Sequence, residues 1–353
     1  INWVEQTSSR LFRSMHRDKH AQRAIVMLRM VIGITMLAAP VAYSDSYQDC
    51  LIQALENASD TDTVQMIRSQ CERLGESTDP EVDAPAPKPG LIERRLELEK
   101  EASSNRFAIL QHKSSYILPI TYNSRVNNAP FNEIVEEREL DNYEFKFQFS
   151  IKAQLFDSIM QKQGRLYFGY TNQSYWQIFN EEDSGPFRET NHEPELFIDL
   201  DRKSEFAGWH IPVMRFGWAH QSNGRSSSLS RSWNRLYWQV FLEQNNWALS
   251  FKPWIRISGD SAEEDNPDIE DYMGNFELGL FRQGTTSATS MRIRNNLQSE
   301  NRGAIELNWS KPLPFNEKLR LYAQYFYGYG ESLIDYNVIT NRIGIGLQLS
   351  DFL

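Results

Sequence analysis

From about residue 104 to the C-terminus, polar and apolar residues alternate with a period of two. Successive side chains of a strand point to opposite faces, so this alternation marks strands with one wet and one oily face. Twelve stretches carry it: 106–120, 142–156, 164–179, 193–203, 209–222, 231–244, 247–257, 271–282, 287–297, 303–310, 319–328 and 337–350. The connections alternate in length. Asn245-Asn246, residues 283–286 and residues 312–317 are short, whereas 121–141, 180–192, 258–270 and 329–336 are longer. An even number of strands with short turns at one end and longer loops at the other is the pattern of a transmembrane barrel. In the third stretch the even positions read Leu166, Phe168, Tyr170, Asn172, Ser174, Trp176; the odd positions read Arg165, Tyr167, Gly169, Thr171, Gln173. The apolar set is expected to face lipid and the polar set the lumen.

A β-sandwich shares this periodicity and would hide its apolar stripes. Composition narrows the choice. The chain has 353 residues with 20 Phe, 15 Tyr and 9 Trp, yet a mean hydropathy of −0.56, which excludes a bundle of membrane helices. Past the N-terminus no apolar run approaches the roughly 18 residues of a spanning helix. A net charge of −10 argues against nucleic acid as a partner. The expected fold is all-β: a twelve-stranded antiparallel transmembrane β-barrel over 104–353, with a short helical N-terminal periplasmic extension.

Before the barrel, residues 1–44 read as a signal peptide with upstream residues. Arg10, Arg13, Arg17, Lys19, Arg23 and Arg29 form a basic region, Met30–Ala39 a short apolar core, and Ala42 and Ser44 the small residues before cleavage. Residues 45–103 then hold two short helical patterns, a Pro- and acid-rich linker at 75–90, and a charged tract, LIERRLELEKEA, read as a solvated helix. The two cysteines, Cys50 and Cys71, lie just after the cleavage point, and in an exported protein they are expected to pair.

Candidate chemistry collects in one hairpin, HQSNGRSSSLSRSWN over His220–Asn234. Parity places His220 and Ser222 on the stripe of Met214, Phe216 and Trp218, and Asn234 on that of Leu236, Trp238 and Val240. A turn centred near residue 227 sets Asn234 opposite His220. Serine needs a base to become a nucleophile, and the base needs an acceptor that fixes its tautomer. Ser222, His220 and Asn234 fit those roles. The backbone N–H groups of Ser222 and Gly224 are the candidate oxyanion donors. A nucleophile, a base and an amide on an oily outer face is an odd arrangement for a soluble enzyme.

The same hairpin resembles the active-site signature of the outer-membrane phospholipase A family, calcium-dependent, dimerising acyl hydrolases of Gram-negative bacteria. YTNQSYWQIFNEEDSGPFRETNHEPELF (170–197), NPDIEDYMG (266–274) and RLYAQYFYGYGESLIDYN (320–337) extend the likeness from about 104 onward. The resemblance implies an outer-membrane location, with the active site toward the outer leaflet, and hydrolysis of phospholipid acyl esters controlled by homodimerisation. It implies calcium held by the Arg225 carbonyl, the Ser230 hydroxyl and Ser184 of a second copy. It puts Asn172 at the dimer interface, where the family has a glutamine. Ser226–Ser228 read as a flexible loop tip, the acidic stretch 260–271 as a solvated outer loop, and His112 and His192 as structural or surface residues. The rivals are a non-enzymatic pore or adhesin, which predicts a wide polar lumen, and a soluble secreted esterase, which predicts purification without detergent.

Overall fold

The computed structural model describes residues 89–349 except 106, 133–138, 160–163, 182–184 and 258–264. The expected signal peptide, the Cys50–Cys71 pair, the helices before residue 89 and Ser184 lie outside the described residues.

Twelve antiparallel strands close on themselves: β1 (Tyr116–Asn123), β2 (Tyr143–Ile159), β3 (Gly164–Trp176), β4 (Phe187–Phe206), β5 (Trp209–Ser222), β6 (Ser232–Gln244), β7 (Trp247–Ile257), β8 (Phe276–Gln283), β9 (Ala288–Asn295), β10 (Gly303–Leu313), β11 (Asn316–Gly328) and β12 (Thr340–Gln348). Each pairs with its sequence neighbour, and β12 pairs with β1 from Arg342↔Asn123 to Gln348↔Tyr116. Closure leaves no unpaired edge, which a membrane demands. The seam is irregular where Pro119, which has no N–H to give, interrupts the register on both sides. There a side chain at position 346 would start 2.1 Å from the Ile117 carbonyl, so the close approach requires Gly346.

The alternation sorts as expected. On β3, Tyr167, Thr171 and Tyr175 are buried inward while Phe168 is 44% exposed. Phe216, Trp218, Leu236, Ile255, Leu307, Ile343 and Ile345 are likewise exposed outward, as the lipid face of a barrel. The lumen is polar and its groups are paired: Lys146 reaches Gln324 and Glu331, Arg215 pairs with Asp199 on the adjacent strand, and Arg235 with Glu193. Its cavity is about 320 Å³.

The boundaries depart from the reading in places. The strand expected over 106–120 is broken. Leu110–Gln111 pairs with β2, residues 112–115 loop, and pairing resumes at Tyr116. His112 turns into the lumen, with Nε2 2.7 Å from Glu195. The strand expected from 193 begins at Phe187, and that expected from 271 is preceded by a short helix, Ile269–Met273.

The largest correction concerns the charged tract. Helix α1 (Leu91–Ala102) is not solvated all round. Leu91 and Ile92 are buried against Val213, Ala248, Phe281 and Ala288, inward residues at the short-turn end of the barrel. The Ile92 N–H donates to the Glu243 carboxylate at 2.6 Å, filling one of the bonds a helix start leaves open. Glu99, also buried, accepts from Lys152 at 2.7 Å and from Arg95 at 2.8 Å. Burial works to raise the Glu99 carboxyl, but Lys152 and Arg95 outweigh it and hold the group below the usual carboxylate range. A depressed folded-state value contributes stability above the unfolded value, and acid removes it as pH falls through the folded one. Glu99→Ala strands the Lys152 ammonium and is expected to cost about 1–3 kcal/mol at neutral pH. The midpoint of heat modifiability on gels reads that loss, which is expected to shrink at acid pH; an unchanged midpoint at neutral pH would remove the anchoring role.

Candidate active site

The β5–β6 ladder fixes the hairpin. His220 pairs with Asn234 and Ser222 with Ser232, so the expected opposition holds. The inward neighbours are Ala219 and Gln221, of which Gln221 accepts from the Trp233 indole inside the barrel. His220, Ser222 and Asn234 therefore share the outward face. His220 Nδ1 lies 2.9 Å from Asn234 Oδ1. The Trp218 ring stacks on the imidazole, with centroids 6.4 Å apart and planes at 20°. Among the described residues His220 is bonded to Asn234 and not to Ser222; nucleophile–base bonds often tighten only when substrate is bound.

Past Ser222 the loop is built around Asn223. Its side chain donates to the Leu229 carbonyl at 2.8 Å and accepts from the Arg231 N–H at 3.0 Å. Gly224 has φ +63, a left-handed conformation that favours glycine. The serine-rich tip is more ordered than a bare loop. Ser227–Leu229 forms one 3₁₀ turn, and Leu229 is buried with Phe131, Leu140 and Ile334. The Arg225 guanidinium donates to the Arg188 carbonyl at 2.6 Å and the Phe187 carbonyl at 3.2 Å, and lies 3.3 Å from buried Glu189. The Arg225 N–H donates to Asn223 Oδ1 at 3.3 Å. Glu189 also takes the Ile334 N–H, tying the hairpin to the loop after β11.

The acidic stretch is not simply solvated. Asp265 Oδ2 accepts from the Ser230 hydroxyl at 2.6 Å, and Asn266, fully buried, accepts from the Ser232 N–H at 2.9 Å. Ile269 and Met273 pack into the interior. At the hairpin's loop a hydroxyl, Ser230, and a carboxylate, Asp265, thus stand together, while the Arg225 side chain is held from the Glu189 side. Among the described residues no three His, Cys, Asp or Glu side chains are placed to hold a metal ion.

On the neighbouring strands, Asn172 of β3 pairs with His192 of β4, and His192 with Ser222 of β5. Asn172 Oδ1 accepts from the Ser174 hydroxyl at 3.1 Å, so part of its amide is already satisfied. The sequence context of His192 gives it no partner pattern. The turn at Ala207-Gly208 alone would set Asn223 opposite it; the register shift between Asp201 and Ser204 moves the pairing by one residue to Ser222, and no signal in the sequence marks that shift.

A family model for phospholipase A1 matches residues 92–349. Phospholipase A1 of Escherichia coli K12 is 37% identical over 269 residues, covering 76% of this chain and 89% of its own. That of Proteus vulgaris is 36% identical over 269 residues, with the same coverage. The solved structure of outer membrane phospholipase A from Escherichia coli superposes with a TM-score of 0.66 at 37% identity, over 70% of this chain and 100% of that one. A Salmonella typhi outer membrane phospholipase, crystallised as a dimer with bound calcium, gives 0.66 at 36% identity, over 70% and 94%.

Proposed function

The chain belongs to the phospholipase A1 family, the β-barrel phospholipases of the Gram-negative outer membrane, and from that premise we propose that Ser222, His220 and Asn234 are its catalytic triad. The observation that carries this is the 2.9 Å His220–Asn234 contact on the outward face, with Ser222 next along the same stripe. If Nδ1–H donates to the Asn234 carbonyl oxygen, Nε2 is left unprotonated and free to act as base. Ser222 Oγ attacks the acyl ester carbonyl while His220 Nε2 takes its proton. The N–H groups of Gly224 and Ser222 meet the oxyanion. Collapse expels the glycerol oxygen, which takes the proton from His220, and leaves an acyl-serine and a lysophospholipid. Water, deprotonated by His220, then releases the fatty acid and restores Ser222.

With short turns in the periplasm, the long-loop end meets the outer leaflet, so lipid reaches Ser222 from the side. Residues 1–44 are then assigned to export and 45–103 to an extension ahead of the barrel strands, whose last helix, α1, packs into the short-turn end. The Ser230–Asp265 pair at the hairpin's loop fits a hard divalent cation, because its donors are oxygen and Asp265 adds the negative charge that serines lack. We assign calcium to the Arg225 carbonyl, Ser230 Oγ and Ser184 of a second copy, with Asn172 at the interface. When bound, the ion supplies positive charge near the oxyanion. A pore is the weaker reading, since ion pairs line the lumen and α1 packs into its short-turn end.

Asn234 is the sharpest test of the geometry. Asn234→Ala frees the imidazole and is expected to lower kcat on micellar phospholipid about 10- to 100-fold, with KM nearly unchanged. A drop of less than about threefold would exclude the orienting role.

A further inference from the structure

On the outward face, His192 of β4 stands directly beside Ser222 in the ladder. Its Nδ1 lies 2.7 Å from the Tyr170 hydroxyl, and the two rings stack at 6.2 Å and 27°. Its other edge is turned to the oxyanion glycine: a side chain at Gly224 would start 3.8 Å from Cδ2 and 3.9 Å from Nε2. The imidazole is half-buried, braced on one side, and presents Nε2 to the space next to Ser222 and Gly224. A polar ring on a lipid-facing wall costs free energy unless it is paired. Tyr170 pairs only one of its nitrogens, and a phenol donating to Nδ1 leaves the hydrogen on Nε2.

We propose that His192 is a substrate-binding residue of this enzyme, donating from Nε2 to the phosphodiester of the phospholipid whose ester lies at Ser222. Tyr170 is its positioning residue, locking the tautomer that presents the donor. The assignment rests on the reading of Ser222 as nucleophile. An anionic oxygen is the acceptor that repays a neutral N–H at a half-wet membrane boundary most, because hydrogen bonds to charged groups are the stronger ones. The chemical class selected is therefore an acyl ester carrying a phosphate, over an acyl ester without one.

The test uses the full-length enzyme in mixed micelles with calcium, and two substrates: a diacyl phosphatidyl lipid and a p-nitrophenyl fatty acyl ester, which has no phosphate. His192→Phe keeps the stack on Tyr170 and removes the donor. It is expected to lower kcat/KM on the phospholipid about tenfold, chiefly through KM, and to leave the simple ester within twofold. His192→Gln restores an N–H at similar reach and should recover most of the loss. Tyr170→Phe should give a smaller loss of the same kind. Cross-linking of each variant checks that the dimer fraction is unchanged. Equal losses on both substrates, no recovery in His192→Gln, or no loss in His192→Phe would each overturn the proposal. Ser222→Ala in the same assay separates the underlying reading: if it keeps activity on both substrates the nucleophile is misassigned, whatever His192 does.

Discussion

Ser222→Ala is expected to reduce phospholipid hydrolysis by about 10³-fold or more while leaving the barrel folded. The size follows from the role proposed for the hydroxyl. Without it no acyl-enzyme forms, and the remaining groups can only assist a direct attack by water. The folded state should be indifferent, because Ser222 is a half-exposed outward residue and the Ser222↔Ser232 pairing is made by backbone. Heat modifiability on gels should match the parent. Loss of less than tenfold would remove Ser222 as nucleophile. The same variant judges the pore reading, which predicts that conductance and growth phenotypes ignore this residue.

How much of this was legible beforehand differs between wall and loops. The wall is governed by local rules. Parity separated Tyr167 from Phe168 and put His220, Ser222 and Asn234 on one face, because a strand leaves its side chains no other choice. The hairpin register followed from the centre of one turn. Contacts that join distant segments were not legible. Asp265 meets Ser230 across 35 residues, and Glu189 meets Ile334 across 145, and no period in the chain encodes either. The burial of helix α1 is hidden in the sequence for a different reason. Its glutamates and arginines look like a solvated face, but the interior of this barrel is itself polar. Glu99 finds Lys152 inside just as it would find water outside. In a barrel the usual inference from charge to exposure loses its sign, and only the pairing partners decide it.

Removing calcium is expected to have the second-largest effect. Chelation by EDTA should lower hydrolysis by about 100-fold or more, since an oxyanion deprived of its main electrostatic support loses several kcal/mol in the transition state. The donor set decides how tightly the ion is held. Affinity for calcium is tuned by the number of charged ligands and the rigidity of the site. The Arg225 carbonyl and Ser230 hydroxyl are neutral. Their rigidity comes from Glu189, which holds the Arg225 guanidinium, and from Asp265, which holds the Ser230 hydroxyl. Asp265 is thus the nearest anionic contact of the assigned set, and its charge is the term most easily removed. Asp265→Asn should raise the calcium concentration for half-maximal activity about tenfold, with the plateau rate preserved, because the triad is untouched. Ser184→Ala should do the same through the second copy, and it should also shift cross-linking from dimer to monomer at limiting calcium. Full activity in EDTA would sink the calcium assignment outright. A plateau rate that falls while the half-maximal concentration stays fixed would show that Asp265 acts on the chemistry and not on the ion.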